Sequence, residues 1–250
     1  MSPSKLSAAF LALVLSAGMA FAANSAPDSV IQASIAGKLQ SKPEFSNVQS
    51  SVADGVVTLK GTVDGYKAKF DAEKQARKAG HVRSVQNQIV VAGPSLPDNE
   101  LREKLARDLR YDRVGYGNVF NVLTVGVKDG VVTLGGEVRT PVDRDSAFSV
   151  VENTRGVKDV VNEVKVAPVS NFDDSIRLRT LRAVYGDPVL SKYALDPQQP
   201  IRILVDNGHV GLYGTVNSAM DKQIAGIRAN QVFGAFSVEN HLNTATTANR

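Results

Sequence analysis

Three histidines, His81, His209 and His241, are the side chains of this sequence best suited to holding a metal or moving a proton near neutral pH. Alternation puts His209 and His241 on the outward side of neighbouring strands in one segment. No cysteine, His-x-His pair or HExxH helix accompanies them, and a zinc site needs more ligands in suitable geometry. They are predicted to be surface residues, with no metal centre. The carboxylate pairs Asp143/Asp145 and Asp173/Asp174 fall at expected helix starts, where acidic residues are common, and nothing separates them into a general acid and a general base. No G-x-S-x-G elbow, phosphate-binding loop or dinucleotide fingerprint occurs. The prediction is a non-enzymatic protein that uses no cofactor.

What remains is charge. Lys67, Lys69, Lys74, Arg77 and Lys78 cluster on one expected helix and make residues 28–93 carry a formal +3, against −1 for 94–168 and +1 for 169–250. Such a face suits anionic phospholipid headgroups, each well-placed cation contributing up to ~1 kcal/mol. With Asp71 and Glu73 interspersed it also reads as an ordinary solvated helix face. Contact with lipid would be peripheral, because the apolar side of the helix is taken by the fold. The alternative is protein–protein interaction or a chaperone-like role, through a sheet edge or the exposed sheet side around Tyr213. The partners expected are therefore anionic headgroups or other proteins. The whole chain carries +4 from 29 Lys plus Arg against 25 Asp plus Glu, which is too weak and too evenly spread to indicate nucleic acid.

The elements behind these residues come as a repeat. Gly61, Gly136 and Gly214 anchor three segments that align without gaps, and six residues before each stands Gly55, Gly130 or Gly208. Between them, period-2 alternation puts Val57 and Leu59, Val132 and Leu134, and Val210 and Leu212 on one side of a strand. Asp54-Gly55, Asp129-Gly130 and Asn207-Gly208 are hairpin-turn signals, preceded by strands centred on Val48 to Val52, Phe120 to Val127 and Ile201 to Val205.

After the anchoring glycine the period lengthens to that of a helix. Thr140 with Asp143 and Ser218 with Asp221 read as capping boxes. Ala72, Ala76 and Ala79 match Ala147, Val151 and Thr154, then Ala225, Ala229 and Val232, small side chains that let a helix approach a sheet. A last strand follows, carrying Asn87, Asn162 or Asn240 on its inward side, where a buried amide is expected to satisfy backbone groups. Each copy opens with a helix: Val30, Ile31, Ile35 and Leu39; Leu101, Leu105 and Leu109; Ile176, Leu178, Leu181 and Val184. Asp28, Asp98 and Asp174 stand at or near the helix starts, where a carboxylate meets free N–H groups. The predicted fold is α+β: three tandem αββαβ modules, each a small three-stranded sheet with two helices.

Residues 1–22 read as a signal peptide, with Lys5 before an apolar run that ends in Ala20-Phe21-Ala22. The run is short for a membrane span, and export without cysteine leaves core packing to hold the chain together. The expected domains are 28–93, 94–168 and 169–246, the third with an extended entry loop at 185–200 containing Gly186, Pro188, Pro197 and Pro200.

This spacing resembles the BON-domain family. The matching signature residues are Gly55, Gly61, Ala76, Val85 and Asn87, then Gly130, Gly136, Val160 and Asn162, then Gly208, Gly214, Ala229, Val238 and Asn240. Val151 and the long third entry depart from the pattern. The resemblance covers nearly all of residues 28–245 and suggests an expanded, three-domain relative of an osmotically inducible, two-domain periplasmic member. It implies a Gram-negative periplasmic location, envelope or osmotic stress, and interaction with phospholipid surfaces or with periplasmic or outer-membrane proteins.

Overall fold

The computed structural model describes residues 28–111, 119–195 and 200–245. The expected signal peptide at 1–22 lies outside the described residues, as does Pro197 of the entry loop.

The first module runs α1 (Asp28–Gln40), β1 (Val48–Ala53), β2 (Val56–Val63), α2 (Tyr66–Arg77) and β3 (Ser84–Val91). β2 is central, antiparallel to β1 and parallel to β3. Both helices lie on one side of this sheet, where Ile31, Ile35, Leu39, Val57, Leu59, Ala72, Ala76 and Ile89 form the core. Val57 and Leu59 are fully buried while Lys60, the next residue of β2, is exposed, which is the burial that two-residue alternation dictates.

The second module repeats this with α3 (Asp98–Tyr111), β4 (Val122–Lys128), β5 (Val131–Val138), α4 (Pro141–Glu152), β6 (Asp159–Asn162) and β7 (Lys165–Val166). The third has α5 (Asn171–Tyr185), a short helix α6 (Lys192–Leu195), β8 (Arg202–Asp206), β9 (His209–Tyr213), β10 (Thr215–Val216), α7 (Ala219–Asn230), β11 (Ser237–Asn240) and β12 (Asn243–Thr244). In each, the central strand is antiparallel to the hairpin partner and parallel to the last strand.

The anchoring glycines have a steric cause. Gly61, Gly136 and Gly214 hold φ of 123°, 103° and 126°, and a Cβ there would lie 1.9 Å from the Asn47 carbonyl oxygen, 2.1 Å from that of Val122 and 2.7 Å from that of Pro200. Only glycine fits a strand whose neighbour's backbone comes so near.

Several local expectations need correction. Thr140 and Asp143 make a full capping box, but in the third module only the Ser218 side accepts from a backbone group, Asp221 N–H; the Asp221 carboxylate meets Tyr193, Lys192 and the Ser218 hydroxyl. That contact docks α6 against the start of α7, with Leu190 and Tyr193 buried, so the part of the entry segment that is described packs into the module. Val30 and Leu178, placed with the helical core residues, are exposed.

The aspartates at the module starts lie in the first turns of their helices, as expected, but two of them also reach across to a hairpin turn. Asp28 accepts from the N–H groups of Asp54 and Gly55 at 2.7 and 2.9 Å, and Asp98 from those of Asp129 and Gly130 at 2.7 and 2.9 Å. In the third module this role belongs to Asp173, which holds Asn207 and Gly208 at 3.2 and 2.8 Å, rather than to Asp174. One carboxylate thus ties each first helix to its hairpin turn.

Candidate functional site

Two of the three repeated asparagines bridge helix and strand. Asn87 Nδ2 donates to the Lys69 carbonyl and to Glu73, and its Oδ1 accepts from Ile89 N–H. Asn240 likewise joins the Lys222 carbonyl and Leu242 N–H. Asn162 keeps the strand bond to Val164 N–H but is exposed, so the inward placement expected of it does not hold in the second module.

The five cations of α2 do not share one fate, because α2 has two occupied sides. Ala72 and Ala76 face the first module's sheet, while Tyr66 and Phe70 face the second module and meet Phe148 of α4 edge-on at centroid distances of 6.5 and 5.1 Å. Burial, reinforced by Asp159, Glu73 and Glu152, pushes the Tyr66 hydroxyl up to about 12. Lys69 is drawn into this junction, pairing with Asp159 at 2.9 Å with its side chain only 13 % exposed. Lys67 bonds Asp71 at 2.8 Å and approaches Glu152 at 3.8 Å; the Asp71 bond raises its pKa. Arg77 holds Glu73 through two nitrogens. Lys74 and Lys78 are exposed and reach no carboxylate within ion-pair distance among the described residues. Lys38 joins them from α1, its Nζ donating to the Lys78 carbonyl at 2.9 Å. The cationic surface is therefore the outer edge of the helix, made by Lys74, Arg77, Lys78 and Lys38, and the N-terminal pair Lys67 and Lys69 serves the module junction.

His209 and His241 stand at opposite ends of their strand pair. His209 bonds Ser237 Oγ at 2.7 Å at one end of the paired strands, and His241 bonds Glu239 and stacks on Tyr213 at 4.9 Å at the other. His81 sits at φ 66° where the other modules have Gly156 and Gly234. Among the described residues no group of three or more metal-type ligands comes together.

The second and third modules meet through Arg139, whose guanidinium donates to both Asp174 oxygens at 3.0 and 2.9 Å, and through Arg202, which donates to the Asn121 carbonyl at 2.8 Å. Phe120 crosses over into the third module's core. A groove of about 870 Å³ lies between the two, with Tyr213 and Leu109 on its walls. Glu137 lies nearby with Oε1 buried and unbonded. Burial and then Asp206 raise its carboxyl above the ordinary range, partly opposed by Arg177 and Lys165. A raised folded-state pKa means that the folded chain keeps this proton to higher pH than the unfolded chain. The stabilisation is full below the ordinary glutamate value and is lost as pH rises through the raised one. Glu137→Gln is therefore expected to raise the thermal midpoint at pH 7 by roughly 2 °C and to change it little at pH 4, in calorimetry of the whole chain.

Sequence reasoning passed over three side chains that stand out in the structure: Phe172, Phe233 and Phe236, all exposed at one end of the third module. The signal was in the repeat register, where the position of Phe236 reads Arg83 and Lys158 in the other copies and that of Phe233 reads Gly80 and Arg155.

Three copies of one helix-covered mixed sheet, joined through helix faces and arginine bridges, make this a tandem array of small α+β modules. The BON domain model matches residues 27–93, 97–168 and 189–246. The chain belongs to the BON-domain family. The third match begins after α5, yet α5 occupies the place of α1 and α3 and supplies Ile176, Leu181 and Val184 to the core. The chain is 30% identical over 151 residues to Osmotically-inducible protein Y of Escherichia coli (strain K12), covering 55% of this chain and 72% of that protein. It is 27% identical over 128 residues to a protein of Anaplasma centrale called "Uncharacterized protein in gshII 5'region", covering 49% of this chain and 83% of the relative. Among solved structures, CdsD, a structural protein of the type III secretion system of Chlamydia trachomatis, matches at 15% identity and a TM-score of 0.24, over 85% of this chain and 90% of that one.

Proposed function

We propose that this is a non-catalytic protein of the bacterial periplasm, serving the envelope under osmotic stress, that touches anionic phospholipid surfaces through the outer edge of α2. The observation that carries the reading is the exposed cationic row Lys74, Arg77 and Lys78, extended by Lys38. The relation to Osmotically-inducible protein Y supports the stress setting, and the apolar N-terminal run supports export. No helix among the described residues is long and apolar enough to cross a membrane, which agrees with attachment at the surface. Lys67 and Lys69 belong to the same basic helix; their bonds to Asp71, Glu152 and Asp159 make their part in lipid contact secondary.

Sedimentation of the mature chain with phosphatidylglycerol vesicles tests this. Binding is expected at low salt, weakened at high salt, and reduced about tenfold by Lys74→Glu with Lys78→Glu, since each cation contributes up to ~1 kcal/mol. Binding that the double substitution leaves unchanged would remove this edge as the contact.

A further inference from the structure

The third module's turn end is built differently from the other two. Phe172 precedes the clamp residue Asp173, Phe233 lies just past α7, and Phe236 covers the hairpin glycine Gly208. Their exposures are 46, 84 and 70 %. Phe172 and Phe236 lie 5.6 Å apart between centroids, and Arg179 sits 5.8 Å over the Phe233 ring while donating to its carbonyl at 3.0 Å.

The fold does not call for these rings. Phe236 N–H bonds the Gly208 carbonyl just as Arg83 N–H bonds that of Gly55 and Lys158 N–H that of Gly130. In those modules the aliphatic stem of the basic residue covers the turn glycine. The same backbone is thus made twice in one chain without an aromatic group. Exposing phenyl rings to water is unfavourable unless something removes them from it.

We propose that this end enters a phospholipid bilayer, Phe233 and Phe236 reaching the acyl boundary with Phe172 beside them and Arg179 held at headgroup depth. The rings project from a helix start and a loop rather than lining a hollow, so a deformable phase can take them up without a shaped pocket. A guanidinium at the base of the outermost ring places positive charge where anionic headgroups lie. The carboxylates at this end are occupied, Asp173 by the turn N–H groups and Asp206 by Asn207. This insertion rests on the lipid reading above but uses a different module and a different force, burial of apolar surface, which salt does not screen.

The chain has no tryptophan, so Phe236→Trp or Phe233→Trp gives a single reporter in the full mature protein. With phosphatidylglycerol vesicles its emission is expected to move to the blue and to be quenched at least twofold when the acyl chains are brominated. In about 0.5 M salt, Phe233→Ser with Phe236→Lys, the lysine keeping an aliphatic stem over Gly208 as Lys158 does over Gly130, is expected to lower vesicle binding about tenfold while leaving the far-UV circular dichroism melt unchanged. A protein that sediments with vesicles while the indole reporter stays unquenched in both the Phe233→Trp and the Phe236→Trp variants overturns the insertion and leaves the α2 edge standing. No sedimentation at either salt overturns both. A blue shift with reduced, carboxymethylated lactalbumin and none with vesicles overturns the insertion in favour of an extended polypeptide partner.

Discussion

Gly136→Ala is expected to lower the stability of the second module by on the order of 4 kcal/mol, enough to unfold it under mild denaturant. The added Cβ would stand 2.1 Å from the Val122 carbonyl oxygen and 3.0 Å from Leu123 Cα, on a residue at φ 103°. Neither chain can withdraw cheaply. β4 is paired to β5 from Val122 to Lys128, and the adjoining Leu134 is fully buried beneath α3 and α4. Gly61→Ala should cost a similar amount and Gly214→Ala less, since its nearest oxygen would be 2.7 Å away. Gly126 supplies the control. It lies in β4 with ordinary spacing, 3.8 Å from Thr133 Cβ, so Gly126→Ala should change stability by no more than about 1 kcal/mol. Urea unfolding followed by far-UV circular dichroism would separate the two, and equal midpoints for Gly126→Ala and Gly136→Ala would refute the steric cause.

That glycine shows why the module architecture was legible. Its strand buries Val132, Leu134 and Val138 at even spacing, its turn pair Asp-Gly precedes it at a constant interval, and a face of small side chains follows, so local chemistry and periodicity agree across the copies. What remained hidden depends on which surfaces meet. An aspartate at a helix start looks like a helix cap, and nothing local says that Asp28, Asp98 and Asp173 reach across to a hairpin as well. In the third module Asp174 is held by Arg177 of its own helix and by Arg139, 35 positions away, which leaves the neighbouring Asp173 to take the turn.

The candidate surface was only half legible for the same reason. Lys67 to Lys78 read as one basic face because helical spacing is local. Phe70 and Phe148 each look like an ordinary helix residue, yet their edge contact sets α2 against α4 and carries Lys69 towards Asp159. The phenylalanine end of the third module was open to discovery by register. It departs from the shared pattern at positions where the other copies carry charge or glycine, and such departures are where three similar folds can acquire different roles.

The repeated aspartate clamp carries the second large effect. Asp173→Asn is expected to cost about 3 kcal/mol, because replacing one carboxylate oxygen by an amide nitrogen sets a donor against a backbone donor and removes a charge-assisted bond. The bond to Gly208 N–H is buried, with Phe172 and Phe236 lying over the turn, so water cannot take the missing place. Asp28→Asn should cost nearer 1 kcal/mol, since the Asp54 N–H it holds is exposed and water can satisfy that group. Hydrogen exchange gives the sharper readout: the Gly208 amide should lose protection selectively in Asp173→Asn, ahead of the β8 and β9 amides beyond the turn. If α5 were merely capped by this residue, protection would instead fall in the first turn of α5 and the hairpin would be untouched. Because Phe172 adjoins Asp173 in the chain and Phe236 rests on Gly208, loosening the clamp should also separate those two rings. Vesicle binding by Asp173→Asn in high salt should then weaken along with the turn, linking the carboxylate that fixes the fold to the aromatic surface it supports.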